Sequence, residues 1–218
     1  MRWIDQIAFN QGRRDEVPNQ QLAKDLAETK NKEGLNEISK YLWDKNPSIA
    51  SDCLKVLYET GYINPGLVAD YVDDYIKLLT SKNNRMVWGS MIALSTVAGL
   101  KADIIWENLD LIINVIRNGT LITEVSGIKV LTKAALANQK YKEKIINVLF
   151  EFLENCRPVD FASRVETISP LITSSEEKEI FAKIIELKKT ELSEAQNKKL
   201  KTVWNKFLKM NQLSLVLI

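Results

Sequence analysis

The chain contains no histidine. That absence removes every Ser–His, Cys–His and His–metal arrangement, so any chemistry would rest on carboxylates, Lys, Tyr or Cys. Glycine and proline are few, 8 and 5 in 218 residues, which argues against an all-β fold with its many tight turns. Cysteine is limited to Cys53 and Cys156, far apart in the chain. They read as thiols of a reducing compartment, and the expected location is cytoplasmic. No apolar run approaches the ~18 residues of a membrane span. The opening MRWIDQIAFN carries Asp5 inside its one apolar stretch and does not read as a signal peptide. A net charge of +2 is too small a basic excess to dominate nucleic-acid affinity, so nucleic acid is a disfavoured partner.

What is present is a large apolar fraction, 45%, beside 27% charged residues. A sizeable core needs no disulfides at that composition. Charge is uneven: residues 1–110 hold 13 Lys/Arg against 16 Asp/Glu, and residues 111–218 hold 17 against 12.

The stretch NNRMVWGSMIALSTVAG, residues 83–99, exposes a repeat. Shifting it by 37 residues places Leu54, Met91, Ile128 and Val165 at one apolar position, and Leu57, Leu94, Leu131 and Ile168 at another. Just ahead stand Cys53, Ser90, Gly127 and then Arg164. Three small residues in register mark a place where neighbouring helices approach closely. Gly89 aligns with Asp52 and Ser126 and is expected on a more open face. A second set also lies 37 apart: Val72/Leu109/Ile146, Ile76/Ile113/Phe150 and Leu79/Ile116/Leu153. Apolar spacings of 4, 3 and 7 mark one face of a helix. Each unit is therefore two helices, and helix pairs at a fixed period mean a solenoid.

Punctuation agrees. Asn46-Pro47 and Asn64-Pro65 read as an N-cap followed by a first-turn proline. Ser174 with Glu177, and Ser193 with Gln196, read as capping boxes. Gly61, Gly99 and Gly119 fall where helices end and are expected in the left-handed conformation. Helices are expected near 19–30, 33–43, 47–60, 65–80, 84–98, 102–118, 120–137, 140–156, 158–172, 175–190 and 193–209, with a short helix near 2–9. Pro170 should end or kink its helix.

This organisation resembles the HEAT and armadillo-like helical repeats. The expected fold is all-α, an α-α superhelix of antiparallel helix pairs in one domain over 1–218. Residues 1–45 would cap the N-terminus, 46–190 would form four helix-pair repeats, and 191–218 would hold a capping helix and an apolar tail. The capping helix carries Lys198, Lys199, Lys201, Lys206 and Lys209 around Leu200, Val203, Trp204, Phe207 and Leu208. The tail LSLVLI, Leu213 to Ile218, is expected to fold back or to contact another chain. Oligomeric state is left open.

In such solenoids the second helices line the concave face. Here that face would present Asp70, Asp73, Asp74, Glu107 and Asp110, with Tyr71 and Trp106 nearby. An acidic row with aromatics suits a basic peptide or protein partner. It is equally what a solvated face looks like. No spacing here specifies a metal site, and no cofactor is expected. A second, cationic group comprises Arg13, Arg14, Arg85 and Arg157, in loops and at helix starts, where an anion could bind. Ordinary ion pairing, such as Arg14 with Asp15 or Glu16, is the competing reading.

The segment IIWENLDLII, residues 104–113, also resembles part of the alkylpurine DNA glycosylases, themselves HEAT-like. That resemblance implies that Trp106 contacts the damaged nucleotide and that Asp110, four residues on, stabilises the cationic sugar. Lys144 stands where that family carries an Arg. The main reading is a non-enzymatic interaction scaffold, and the glycosylase is its alternative.

Overall fold

The computed structural model describes residues 2–210. Among these the chain forms α1 (Val17–Glu28), α2 (Lys32–Lys40), α3 (Pro47–Ile63), α4 (Val72–Leu78), α5 (Asn84–Val97), α6 (Ala102–Glu107), α7 (Leu109–Asn118), α8 (Leu121–Ala137), α9 (Gln139–Glu154), α10 (Pro158–Ile168), α11 (Ser175–Lys189) and α12 (Glu194–Met210), with short 3-10 turns and no strand. The apolar tail from Leu213 lies outside the described residues. Packing divides the chain into two compact units, one up to Ala134 and one from Ala135.

In the first unit α3 packs between α1 and α5, and α4 packs on α5. The periodic apolar positions make this core. Leu54, Leu57, Met91, Leu94, Ile128 and Leu131 are all essentially inaccessible to solvent, as are Val72, Leu109, Leu79 and Ile116. Each such side chain contributes about 1.5–3 kcal/mol of transfer free energy when fully buried. Asparagines start the helices. Asn46 and Asn83, one period apart, accept hydrogen bonds from the Ser48 and Arg85 amides at 3.0 Å each, satisfying donors that no intrahelical carbonyl can reach.

Small residues sit where the helices touch. Ser90 is fully buried. A Cβ added at Gly127 would press into the Ile116 side chain, 2.5 Å from its Cδ1. Gly89 is also buried, against expectation. A Cβ there would lie 2.7 Å from Leu54 Cδ2, so the pair Gly89–Ser90 together admits α3. Gly61 corrects a second expectation. It lies inside α3, which runs on to Ile63, and its missing side chain leaves room for Thr96 of α5. Neither Gly61, Gly99 nor Gly119 is left-handed. That conformation falls to Gly12 and to Lys30, just after α1.

Two expected helices are interrupted. The segment 65–80 opens as 3-10 turns, Pro65–Leu67 and Ala69–Tyr71, before α4 begins. Pro65 has no N–H and Gly66 is a poor helix former, so only short-range bonds form, Leu67 N–H to Asn64 O and Val68 N–H to Pro65 O. Asn64 consequently gives no side-chain cap. The segment 102–118 is divided at Asn108, whose backbone (φ −110°, ψ 17°) leaves the helical region between α6 and α7.

In the second unit α10 packs on α12, and α9 packs on α10 and α11. Pro170 limits α10 to Ile168. Phe150, Phe181, Trp204 and Phe207 form an aromatic cluster with neighbouring centroids 5.0–6.2 Å apart. Leu200, Val203 and Leu208 of α12 are buried with it, as the amphipathic pattern predicts. Arg164, which replaces the small residue of earlier repeats, is buried and donates from Nη1 to the Phe152 carbonyl at 3.1 Å. Both predicted capping boxes form, Ser174 with Glu177 and Ser193 with Gln196. Glu177 has a second role. The buried Lys142 ammonium reaches its carboxylate at 2.7 Å and the Thr173 hydroxyl at 2.7 Å. Burial alone would raise the Glu177 pKa. The Lys142 hydrogen bond and the Thr173 and Ser174 amides outweigh it and hold the carboxyl below its usual 4.5.

Two outcomes follow from this packing. In urea unfolding, Leu94→Ala and Leu131→Ala each cost about 2–5 kcal/mol, whereas Ser90→Ala is neutral or stabilises by about 1 kcal/mol, because Ser90 Oγ is buried with no hydrogen-bond partner among the described residues. Glu177→Gln destabilises at neutral pH, because the depressed carboxyl contributes stability that is complete above its unfolded pKa. That contribution begins to fall below about pH 4.5, the usual value, and is lost as pH falls through the lower folded value, where wild type and variant converge.

Candidate functional site

The acidic row belongs to the first unit and rests on short elements. Asp70 and Tyr71 occupy the 3-10 turn Ala69–Tyr71, and Asp73 and Asp74 the first turn of α4. Trp106 and Glu107 end α6, and Asp110 lies in the first turn of α7. Asp70, Asp73, Glu107 and Asp110 are exposed, while Tyr71, Asp74 and Trp106 are half-buried. Lys144 belongs to the second unit.

Polar contacts link consecutive second-helix segments at a constant separation. Trp43, in the 3-10 turn after α2, donates from Nε1 to Asp74 Oδ1 at 3.1 Å. Lys101, at the start of α6, reaches Asp70 Oδ1 at 3.4 Å. Each pair is 31 residues apart. Asp70 remains 85% exposed despite its partner, so this pair adds little stability. Lys77 of α4 places Nζ 4.6 Å from the centre of the Trp43 ring, within cation–π range. Sequence reasoning did not find Trp43. It sits between α2 and the Asn46-Pro47 helix start, and no aromatic recurs one period on. The field of the carboxylates is visible at Tyr71. Burial raises its hydroxyl pKa most. Its hydrogen bond to Ser39 lowers it, and Asp70 and Asp74 raise it further. Negative charge with half-exposed aromatic walls suits recognition of cations.

The Trp106–Asp110 pair straddles the break at Asn108, with Trp106 in α6 and Asp110 in α7. Cys53 is fully buried, and burial pushes its thiol pKa far above the ordinary value, which keeps it unreactive. Among the described residues no group of three acidic or cysteine side chains is placed to hold a metal ion, and no helix is long and apolar enough to cross a membrane.

The arginines divide. Arg13, Arg14 and Arg85 come together around one open cavity of about 350 Å³ beside the first turns of α3 and α5. Arg157, in the second unit, pairs with Asp160 at 2.7 Å. The expected pairing of Arg14 with Asp15 or Glu16 is not seen. Asp15 pairs with Arg13, and Glu16 pairs with Lys55.

No protein-family model matches the chain, and no curated protein matches it in sequence. Solved structures do match its fold. An engineered protein superimposes with a TM-score of 0.62 at 12% identity, over 97% of both chains. A designed armadillo repeat protein in complex with the peptide (KR)4 gives 0.64 at 13%, over 86% of both chains. A computationally designed armadillo repeat protein for modular peptide recognition gives 0.63 at 13%, over 93% of this chain and 97% of that one. What they share with the present chain is architecture: it is an all-α, armadillo-like helical-repeat solenoid.

Proposed function

We propose that the chain is a non-enzymatic interaction scaffold that takes a basic peptide on the acidic face of its first unit. The observation that carries this reading is the exposure of Asp70, Asp73, Glu107 and Asp110 on consecutive second-helix segments. Trp43, Tyr71 and Trp106 supply partly exposed ring surface among them. Lysine and arginine side chains of a ligand would bring an ammonium or guanidinium to the exposed carboxylates and an apolar stem to the rings. A designed armadillo protein of the same fold is seen with (KR)4, a peptide of this charge. The reading needs no cofactor. The compartment that suits it is a reducing one such as the cytoplasm, where the buried Cys53 and Cys156 would stay reduced.

Fluorescence anisotropy with labelled (KR)4 tests the proposal. Binding is expected to weaken about tenfold in Asp73→Lys/Asp110→Lys and to fall as salt rises. Lys101→Met, which removes the cation from Asp70, is expected to strengthen it. Equal affinity for an acidic peptide, or an unchanged affinity in the double variant, would overturn the assignment to this face.

A further inference from the structure

The arginine-lined cavity is separate from the acidic face and stands independently of the reading above. Its walls come from the N-terminal loop (Phe9, Arg13, Arg14), the first turns of α3 (Ser48, Ser51) and the first turn of α5 (Arg85). Three carboxylates also line it, and each is already engaged. Asp15 accepts two hydrogen bonds from Arg13 at 2.9 Å and one from the Val17 amide. Asp52 accepts from the Phe9 amide at 2.8 Å. Glu16 holds Lys55 at 2.9 Å and stands 3.8 Å from Arg85.

The cations are not engaged to the same degree. Arg14 has no ion pair among the described residues, and Arg85 has only its long contact with Glu16 and a half-exposed side chain. A guanidinium offers five N–H donors and no acceptor. The wall is therefore rich in guanidinium donors without an anion partner, and the Ser48 hydroxyl can add one more; the Ser51 hydroxyl already donates to the Ser48 carbonyl at 3.4 Å. The group that fits such a wall is an acceptor-only oxyanion, and two forked guanidiniums favour phosphate geometry. A volume of about 350 Å³ lies at the lower end of the range for small-molecule sites, about 300–1,000 Å³. That leaves room for an organic body beyond the anion. The Phe9 ring, 42% exposed and part of the same wall, offers that body an apolar surface.

We propose that this cavity binds a small organic phosphomonoester, with Arg14 and Arg85 on the phosphate and Phe9 against the organic part. Calorimetric titration of the full chain at low salt tests it, with AMP as a probe carrying both a phosphomonoester and a ring. AMP is expected to bind at least about tenfold more tightly than adenosine, and Arg14→Ala and Arg85→Ala each to weaken it about tenfold. Arg157→Ala, in the other unit, is expected to leave AMP binding unchanged. Inorganic phosphate is expected to bind more weakly than AMP. Absence of AMP binding, equal affinity for adenosine, or indifference to both arginine variants would overturn the proposal. Inorganic phosphate binding as tightly as AMP would overturn the part assigned to Phe9.

Discussion

The close approach of α3 and α5 is the contact on which the first unit depends. Helices of 17 and 14 residues are marginal alone in water, because nucleating each one is costly. They persist because their apolar faces are buried against one another. Leu54 packs into the space that the missing side chain of residue 89 leaves. Thr96 reaches α3 only because residue 61 has none. A glycine inside a helix costs about 1 kcal/mol relative to alanine. Here that local cost is offset by the side chains it admits from the neighbouring helix.

The same stacking organises charge. Once first helices are held in register, second-helix segments lie beside one another, and side chains 31 residues apart meet at Trp43–Asp74 and Asp70–Lys101. Carboxylates that are scattered along the chain, Asp70, Asp73, Glu107 and Asp110, are exposed on consecutive second-helix segments of the first unit. On the side of the first helices, the N-terminal loop brings Arg13 and Arg14 to Arg85. The first unit thus presents exposed carboxylates on its second-helix segments and, elsewhere, a cavity lined by three arginines and three carboxylates. A solenoid fold by itself supports many roles, so these surfaces, rather than the architecture, carry the functional argument.

Much of the fold is legible in the chain because the period of 37 repeats without insertion. Leu57, Leu94, Leu131 and Ile168 are all buried, and Asn46 and Asn83 both cap helices. These signals are local or strictly periodic. Gly61 and Gly89 were misread because a glycine's role depends on what faces it across the helix contact, and nothing beside it in the chain reports that. The breaks at Pro65-Gly66 and Asn108 altered the face as well. They set Asp70 on a 3-10 turn and put Trp106 and Asp110 on separate helices.

The order of amino acids alone determined that the chain is helical, where its helices pair, and which residues form the core, because hydrophobic periodicity and capping act over a few residues. Tertiary structure alone decided which charges become neighbours. Arg14 met no carboxylate beside it in the chain but joined Arg85, and Asp74 found Trp43, because ion pairs and cavities depend on separations in space. Stacked helices set those separations between residues dozens of positions apart.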